Sequence, residues 1–195
     1  MDIKDILDEI IAPRELPATT HLADLSRLQA ADFQLFKQSW VKAEPARRRQ
    51  ILIRLEELIE DNIELDFDAI FKYCLKDVDP MVRKQAIESL WENRETAIIP
   101  TLTNLLNGDI NPDVQAAAAT ALGKYVLAVE LEDIDESYRD PLSRTLLAIF
   151  NDKNRDNDVR RRALEAVAPF SLPAVQEAIR LAYDSRDERL IVSAI

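Results

Sequence analysis

One pattern of eleven residues recurs along this chain, and its recurrence limits the possible folds more than any other feature of the sequence. In its fullest form a proline is followed by an apolar residue, a basic residue, a small residue and a closing leucine. The copies are PARRRQILIRL at 45–55, PMVRKQAIESL at 80–90, PDVQAAAATAL at 112–122 and NDVRRRALEAV at 157–167. A further stretch, ERLIVSAI at 188–195, begins the same pattern at the end of the sequence.

The position before the basic residue measures the period of the repeat. It is occupied by Arg47, Val82, Val114, Val159 and Leu190, at intervals of 35, 32, 45 and 31 residues. Self-similarity at this period is typical of solenoids. Segments with helical periodicity lie between the copies, at 29–42, 66–76, 96–107, 138–151 and 172–184. Each repeat is therefore predicted to be a helix, a short acidic turn and a second helix, with stacking of repeats supplying the core.

The D-x-x-P-x-V-R-x-x-A-x-x-x-L pattern of residues 77–90 resembles a HEAT repeat of the short kind related to the phycobilin lyases. The resemblance covers residues 26–195 as about five units, at 26–62, 63–94, 95–130, 135–170 and 171–195, of which the last is incomplete. It implies an all-α fold, a right-handed α-α superhelix of the HEAT or armadillo-like kind. The third unit departs from the pattern, because Gln115 replaces the arginine.

Composition agrees with an all-helical, soluble chain. Of the 195 residues only Gly108 and Gly123 are glycine, fewer than a sheet with tight hairpins usually contains. The net charge of −11 disfavours nucleic acid as a partner, because phosphate backbones repel acidic proteins. Cys74 is the only cysteine and is expected to be a buried apolar side chain. No stretch reaches the about 20 apolar residues of a membrane span, and a cytoplasmic location is expected.

The residues at the start of each second helix carry a structural prediction. Aspartate and asparagine cap helix N-termini, and proline fits the first helical turn. Basic residues at a helix N-terminus oppose the helix dipole and need nearby acids. Ladders between an aspartate of one repeat and an arginine of the next are typical of the family this chain resembles. The expected members are Asp77, Asp79, Arg48, Arg83, Asp158 and Arg160.

A second prediction concerns basic side chains that such a ladder would leave unpaired. The resemblance implies that second helices line the concave side of the array. Arg49, Lys84 and Arg161 could then form a basic strip on that side, suited to an acidic peptide or protein.

Catalysis finds little support in the residue pattern. His21 is the only histidine, and it is followed by Leu22, not by the glutamate of the HEAT-like diiron hydroxylases. The acidic stretch ELEDIDES at 130–137 lacks the glycine of an EF-hand and reads as a solvated loop. No glycine-rich phosphate loop is present, so neither a metal nor another cofactor is expected.

Two families of HEAT-like enzymes remain as alternatives. In an alkylpurine DNA glycosylase-like reading, Trp40, Trp91 and Tyr125 would serve as the aromatic residues of a DNA-binding site. The acidic charge counts against this reading, and both tryptophans lie on apolar helical stripes that predict core packing. The other alternative is a phycobilin lyase-like enzyme or subunit, but no residue of the sequence indicates that activity.

The sequence thus favours a non-catalytic scaffold or adaptor that presents a concave helical surface to a protein or peptide. Residues 1–25 hold an amphipathic helix and a linker, predicted to cap the first repeat, with a mobile binding arm as the alternative. The apolar residues at 187–195 are expected to contact a second copy or a neighbouring molecule.

Overall fold

The computed structural model describes residues 2–12, 15–185 and 188–193. Within these residues every regular element is helical, in twelve α-helices and two short 3₁₀ turns, so the predicted all-α fold of HEAT-like helix pairs is confirmed. The chain divides into two compact units, Met1–Asn93 and Arg94–Ile195.

The first unit contains the N-terminal helices and two helix pairs. Its helices are α1 (Ile3–Ile11), α2 (Thr19–Ala23), α3 (Ala30–Trp40), α4 (Pro45–Asp61), α5 (Asp68–Cys74) and α6 (Pro80–Ser89). The first helices α3 and α5 are linked to the second helices α4 and α6 by short turns, and α4 packs on α6. Proline opens both second helices, because its missing N–H would have had no helical partner there.

The N-terminal helix α1 packs on α3 through its apolar side, and Ile6, Leu7 and Ile10 are buried there. Arg47 of α4 fixes its end. The guanidinium donates hydrogen bonds to the backbone oxygens of Glu9 (2.6 Å) and Ile10 (2.8 Å) in the last turn of α1, and to that of Glu15 (2.9 Å) beyond it. A cation at these free carbonyls is also favoured by the helix dipole. In the structure α1 is therefore a packed element of the first repeat.

The second unit contains three helix pairs. Its helices are α7 (Ile99–Gly108), α8 (Pro112–Glu130), α9 (Arg139–Asn151), α10 (Asn157–Val167), α11 (Pro173–Tyr183) and α12 (Glu188–Ser193). The expected caps are present at two second helices. Asn111 accepts hydrogen bonds from the backbone N–H groups of Asp113 and Val114, and Asp156 accepts one from that of Asp158.

The helices α8 and α10 approach closely at Gly123. A Cβ atom at this position would lie 3.1 Å from Cα and 3.3 Å from Cβ of Ala166. The alanine-rich stretch at 116–119, expected to allow close packing, lies on the same helix, and Ala118 and Ala119 are fully buried. Small side chains thus set the separation of two second helices in this unit.

The acidic insert at 130–137 connects α8 to α9, as expected of a loop. Arg139 holds both ends of the insert. It forms ion pairs with Glu130 and Glu136, and its guanidinium lies 4.7 Å from the centre of the Phe170 ring. These contacts tie the insert to the helices on either side of it.

The C-terminal helix α12 packs on α10 and α11 through Leu190, which is buried. The Ser193 hydroxyl donates a hydrogen bond to Glu165 of α10 (2.6 Å). The predicted contact of residues 187–195 with a second molecule falls partly on positions 187, 194 and 195, which lie outside the described residues. Of the described part, Val192 is exposed.

Substitution of Gly123 by leucine is expected to lower the free energy of unfolding by about 1–3 kcal/mol. Leucine is a good helix former, so the loss would report the clash with Ala166 and not helix propensity. The matched control is Gly108→Ala, where a Cβ has no neighbour within 4 Å. Urea denaturation followed by circular dichroism checks this. A Gly123→Leu protein as stable as the Gly108→Ala control would contradict it.

Substitution of Arg47 by valine, the residue of other copies at this position, is expected to loosen α1. Loss of three hydrogen bonds from a charged donor should speed amide hydrogen exchange in residues 3–11 and cost about 1–3 kcal/mol. Arg54→Val on the same helix is the control, because Arg54 is half-exposed and pairs with Glu57. Equal exchange of α1 in both variants would show that Arg47 does not hold it.

Candidate functional site

The carboxylate of Asp77 joins the two helix pairs of the first unit. Its Oδ2 accepts hydrogen bonds from Arg48 Nη1 (2.6 Å) and from Trp40 Nε1 (2.9 Å), and its Oδ1 accepts one from the backbone N–H of Asp79 (2.9 Å). Only 2% of the Asp77 side chain and 6% of the Arg48 side chain are exposed. The structure thus brings Arg48 and Asp77 of the predicted ladder together in a buried ion pair.

The surroundings of this pair are apolar. Cys74 is fully buried, as expected, and burial, reinforced by the nearby Asp77 carboxylate, raises the pKa of its thiol well above the usual value. Trp40 is also fully buried, which confirms its predicted place in the core. Within the described residues, Arg48 Nε is buried and has no hydrogen-bond partner, so the guanidinium is only partly satisfied.

The residue after the apolar marker of the motif contacts a backbone oxygen of its own repeat in two cases. Arg83 Nη1 donates to the backbone oxygen of Asp77 (2.7 Å), and Gln115 Nε2 donates to that of Asp109 (2.5 Å). In each case the acceptor lies beyond the end of the repeat's own first helix. For Arg83 this contact helps to explain how a cation is tolerated near a helix N-terminus, because a carbonyl oxygen offsets its unfavourable position.

The structure corrects the expectation that Arg160 and Asp158 belong to the ladder. Arg160 Nε donates to the backbone oxygen of Phe150 (2.9 Å) in the last turn of α9, and its guanidinium lies over the Phe150 ring. Asp158 instead pairs with Arg161 (2.5 Å).

The interruption expected at Gln115 is bridged by a residue that sequence reasoning missed. Arg155 reaches back to the end of α7, where it donates to the backbone oxygens of Leu106 (3.2 Å) and Asn107 (2.9 Å). The same side chain donates to Gln115 Oε1 (3.0 Å). No recurrence in the sequence marks Arg155, so the repeat pattern could not have identified it.

The three members of the predicted basic strip are paired with carboxylates. Arg49 Nε lies 3.6 Å from Asp79, the N-cap of α6, and Lys84 Nζ lies 3.0 Å from Glu88. Arg161 bonds both Asp158 and Glu165 (2.7 Å). The expectation that these cations are left unpaired is therefore wrong.

Side chains of α4 and α6 meet along a surface of the first unit, called the α4–α6 surface below. On α4, residues at spacings of four, three and four form one row along the helix. The Glu56 carboxylate in this row accepts hydrogen bonds from Gln85 (2.6 Å) and Ser89 (3.2 Å) of α6. We define the surface by Arg49, Ile53, Glu56 and Glu60 of α4 with Gln85, Glu88, Ser89 and Trp91 of α6 and the turn after it.

One end of this surface is acidic. Glu56 is partly buried, and this burial raises its pKa, as do the neighbouring charges of Glu88 and Glu60. The hydrogen bonds from Ser89 and Gln85 act in the opposite direction but do not cancel the shift. Within the described residues neither Glu56 nor Glu60 forms an ion pair with a basic side chain. Three carboxylates thus act on one another at this end.

Trp91 lies at the same end, and its predicted core position is wrong, because 64% of the residue is exposed. The helix α6 ends at Ser89, and Leu90 takes the last buried position. The helical period therefore does not extend to Trp91, which lies in the turn after α6. Its backbone N–H donates a hydrogen bond to the backbone oxygen of Glu88 (3.0 Å). The flanking glutamates at 88 and 92 were the sequence signal for this exposure.

Within the part of the chain that the structure describes, no group of three or more histidine, cysteine or carboxylate side chains could hold a metal ion. His21 Nδ1 lies 2.9 Å from the Glu9 carboxylate, which joins α2 to α1. Tyr125, an aromatic candidate of the glycosylase-like alternative, is buried, and its hydroxyl bonds the backbone oxygen of Glu95. None of the described helices combines the length and apolar character of a membrane span.

Comparison with known proteins finds one family. Residues 67–145 match the family model of HEAT repeats, a range that contains α5 to α8 in full. This segment is therefore similar to HEAT repeats, the family that the sequence pattern predicted. HEAT repeats are commonly protein-interaction scaffolds and are generally non-catalytic. No curated protein matches the chain.

Replacement of Asp77 by alanine is expected to cost about 3–5 kcal/mol of unfolding free energy, because the buried Arg48 charge loses its partner. Trp40→Phe removes one neutral donor to the same carboxylate and part of a fully buried ring, and should cost about 1–3 kcal/mol. Glu57→Ala, at a half-exposed carboxylate on α4, is the control and should change little. Denaturant titration measures all three. An Asp77→Ala protein no less stable than Trp40→Phe would remove Asp77 as the centre of the network.

Proposed function

We propose that this chain, in which residues 67–145 are similar to HEAT repeats, is a non-catalytic protein-interaction module that binds its partner on the α4–α6 surface. The binding surface consists of second helices held in place before the partner arrives. A surface that is already ordered loses little conformational entropy on binding, and this favours affinity.

The order of the surface comes from the contacts beneath it. Asp77 fixes the start of α6 against α3 and α4 through buried hydrogen bonds. On the surface itself, the Glu56 carboxylate bonds two side chains of α6, so both helices present their rows in one register. These contacts support a rigid site.

The exposure of Trp91 is the observation that carries the proposal. Tryptophan is enriched among the residues that dominate binding energy at protein interfaces, and it is seldom left in solvent without a role. Ile53, one turn before Glu56 on α4, is a second exposed apolar residue, with 42% of its surface accessible. Two apolar side chains among polar neighbours match the pattern of an interface with an apolar centre and a polar rim.

An acidic partner bound by Arg49, Lys84 and Arg161 is less favoured by the structure. Each of these cations already has a carboxylate partner, which an acidic ligand would have to displace. We therefore expect a variant with all three charges reversed to retain its partner where it still folds. The enzyme alternatives gain no specific observation from the described residues.

Site-specific photo-crosslinking in the native host tests the proposal. A photoreactive phenylalanine derivative at position 91, and separately at position 53, is expected to capture the same partner protein, identified by mass spectrometry. The control position is Tyr183, an aromatic residue of the second unit with similar exposure (58%).

The pattern of capture decides the outcome. A partner captured at 53 and 91 but not at 183 supports the α4–α6 surface. Equal capture at all three positions, or capture at 183 alone, would contradict it, because the surface would then have no preference over another exposed region.

A further inference from the structure

We propose that the Trp91 end of the α4–α6 surface docks a segment of the partner protein that bears lysine or arginine side chains. This inference rests on the proposed function and names the chemistry of the partner. It reverses the sign of the charge that the sequence alone had favoured for the ligand.

The charges around Trp91 carry the first part of the argument. Four carboxylates belong to this end or flank it, namely Glu56, Glu60, Glu88 and Glu92. Lys84 pairs with Glu88 at 3.0 Å, which offsets one of the four. Arg94, three residues after Trp91 in the sequence, offsets another, and the two remaining carboxylates leave this end of the surface acidic.

The indole ring of Trp91 supplies the second part of the argument. The face of an indole attracts cations, and the attraction is strongest for tryptophan among the aromatic side chains. Carboxylates at the same end of the surface would complete the site, because they can accept hydrogen bonds from the ammonium or guanidinium group whose stem packs on the indole. Arginine and lysine offer both an apolar stem and a charged end, which matches this combination. A neutral apolar segment would leave the carboxylates partly desolvated and without partners.

The mutual repulsion of the carboxylates gives a further reason. Glu56 is desolvated by burial and lies in the field of Glu60 and Glu88, and its pKa is raised as a result. A ligand cation placed near Glu56 would relieve the repulsion on it and favour its charged form. The net charge of −11 adds a long-range attraction for basic partners, which speeds encounter at low ionic strength.

The experiment measures binding of two synthetic peptides to the purified full chain, with Trp91 fluorescence as the signal. One peptide is an amphipathic helix former with lysine and arginine on its polar side, and the other has glutamate at the same positions. The basic peptide is expected to bind at least about tenfold more tightly, and its affinity should fall as salt screens the charges. Trp91→Phe, which keeps the buried Trp40, should abolish the fluorescence change.

Charge variants locate the effect. Glu60→Gln with Glu88→Gln is expected to weaken binding of the basic peptide about tenfold, whereas Glu132→Gln with Asp133→Asn in the second unit is the matched control for loss of two surface charges. Collisional quenching in the absence of peptide gives an independent readout. Relative to the quenching of free N-acetyltryptophanamide by the same ion, the Trp91 emission should be quenched more strongly by caesium than by iodide, and the difference should shrink in the double glutamine variant.

The outcomes separate this inference from the proposed function. Equal or tighter binding of the acidic peptide, or stronger quenching by iodide than by caesium relative to N-acetyltryptophanamide, would overturn the inference even where crosslinking at 53 and 91 still captures a partner. A failure of crosslinking at both positions would instead overturn the proposed function. An effect of the control pair Glu132→Gln with Asp133→Asn as large as that of Glu60→Gln with Glu88→Gln would show that net charge, and not this site, attracts the peptide.

Discussion

The buried carboxylate of Asp77 accepts hydrogen bonds from three places in the first unit: the indole of Trp40 in α3, the guanidinium of Arg48 in α4 and the backbone N–H of Asp79 before α6. A helix pair cannot bury its apolar side alone, and interdigitating side chains allow more than one packing geometry between helices. A directional, desolvated ion pair narrows the choice, because its geometry is satisfied at one relative position of the helices. The arrangement of the α4–α6 surface depends on this contact.

Much of the fold could be predicted because the repeat pattern recurs several times in the sequence. Proline at 45, 80 and 112 marks helix starts, with a capping residue directly before it at 80 and 112, and the apolar period marks the buried sides of α3 to α11. The candidate site was harder to predict, because it depends on where a helix stops. The end of α6 at Ser89 places Trp91 in solvent, and the apolar stripe of the sequence does not record that end. The short helix α2 was likewise missed, because five residues offer too little periodicity.

Arginine has several uses in this chain that its position in the motif does not distinguish. Arg48 pairs with an aspartate of the next repeat, Arg83 and Arg160 donate to carbonyl oxygens of their own repeats, and Arg161 pairs along its own helix. Which partner each arginine binds depends on the acceptor groups that surround it in the structure, whereas a sequence motif records only the donor residue. This is why the basic residues looked available to a ligand in the sequence but are occupied in the structure, while an acidic and aromatic region remains exposed.

The residue at position 47 has a different role from its counterparts in the later repeats. At the equivalent position the later repeats have Val82, Val114, Val159 and Leu190, all buried apolar side chains. In the first repeat the same position is a cation that donates hydrogen bonds to the free carbonyl oxygens at the end of α1. An apolar residue there would leave those carbonyl oxygens without this donor. A single change of residue type thus converts a position of apolar packing into one that anchors the C-terminal end of a neighbouring helix.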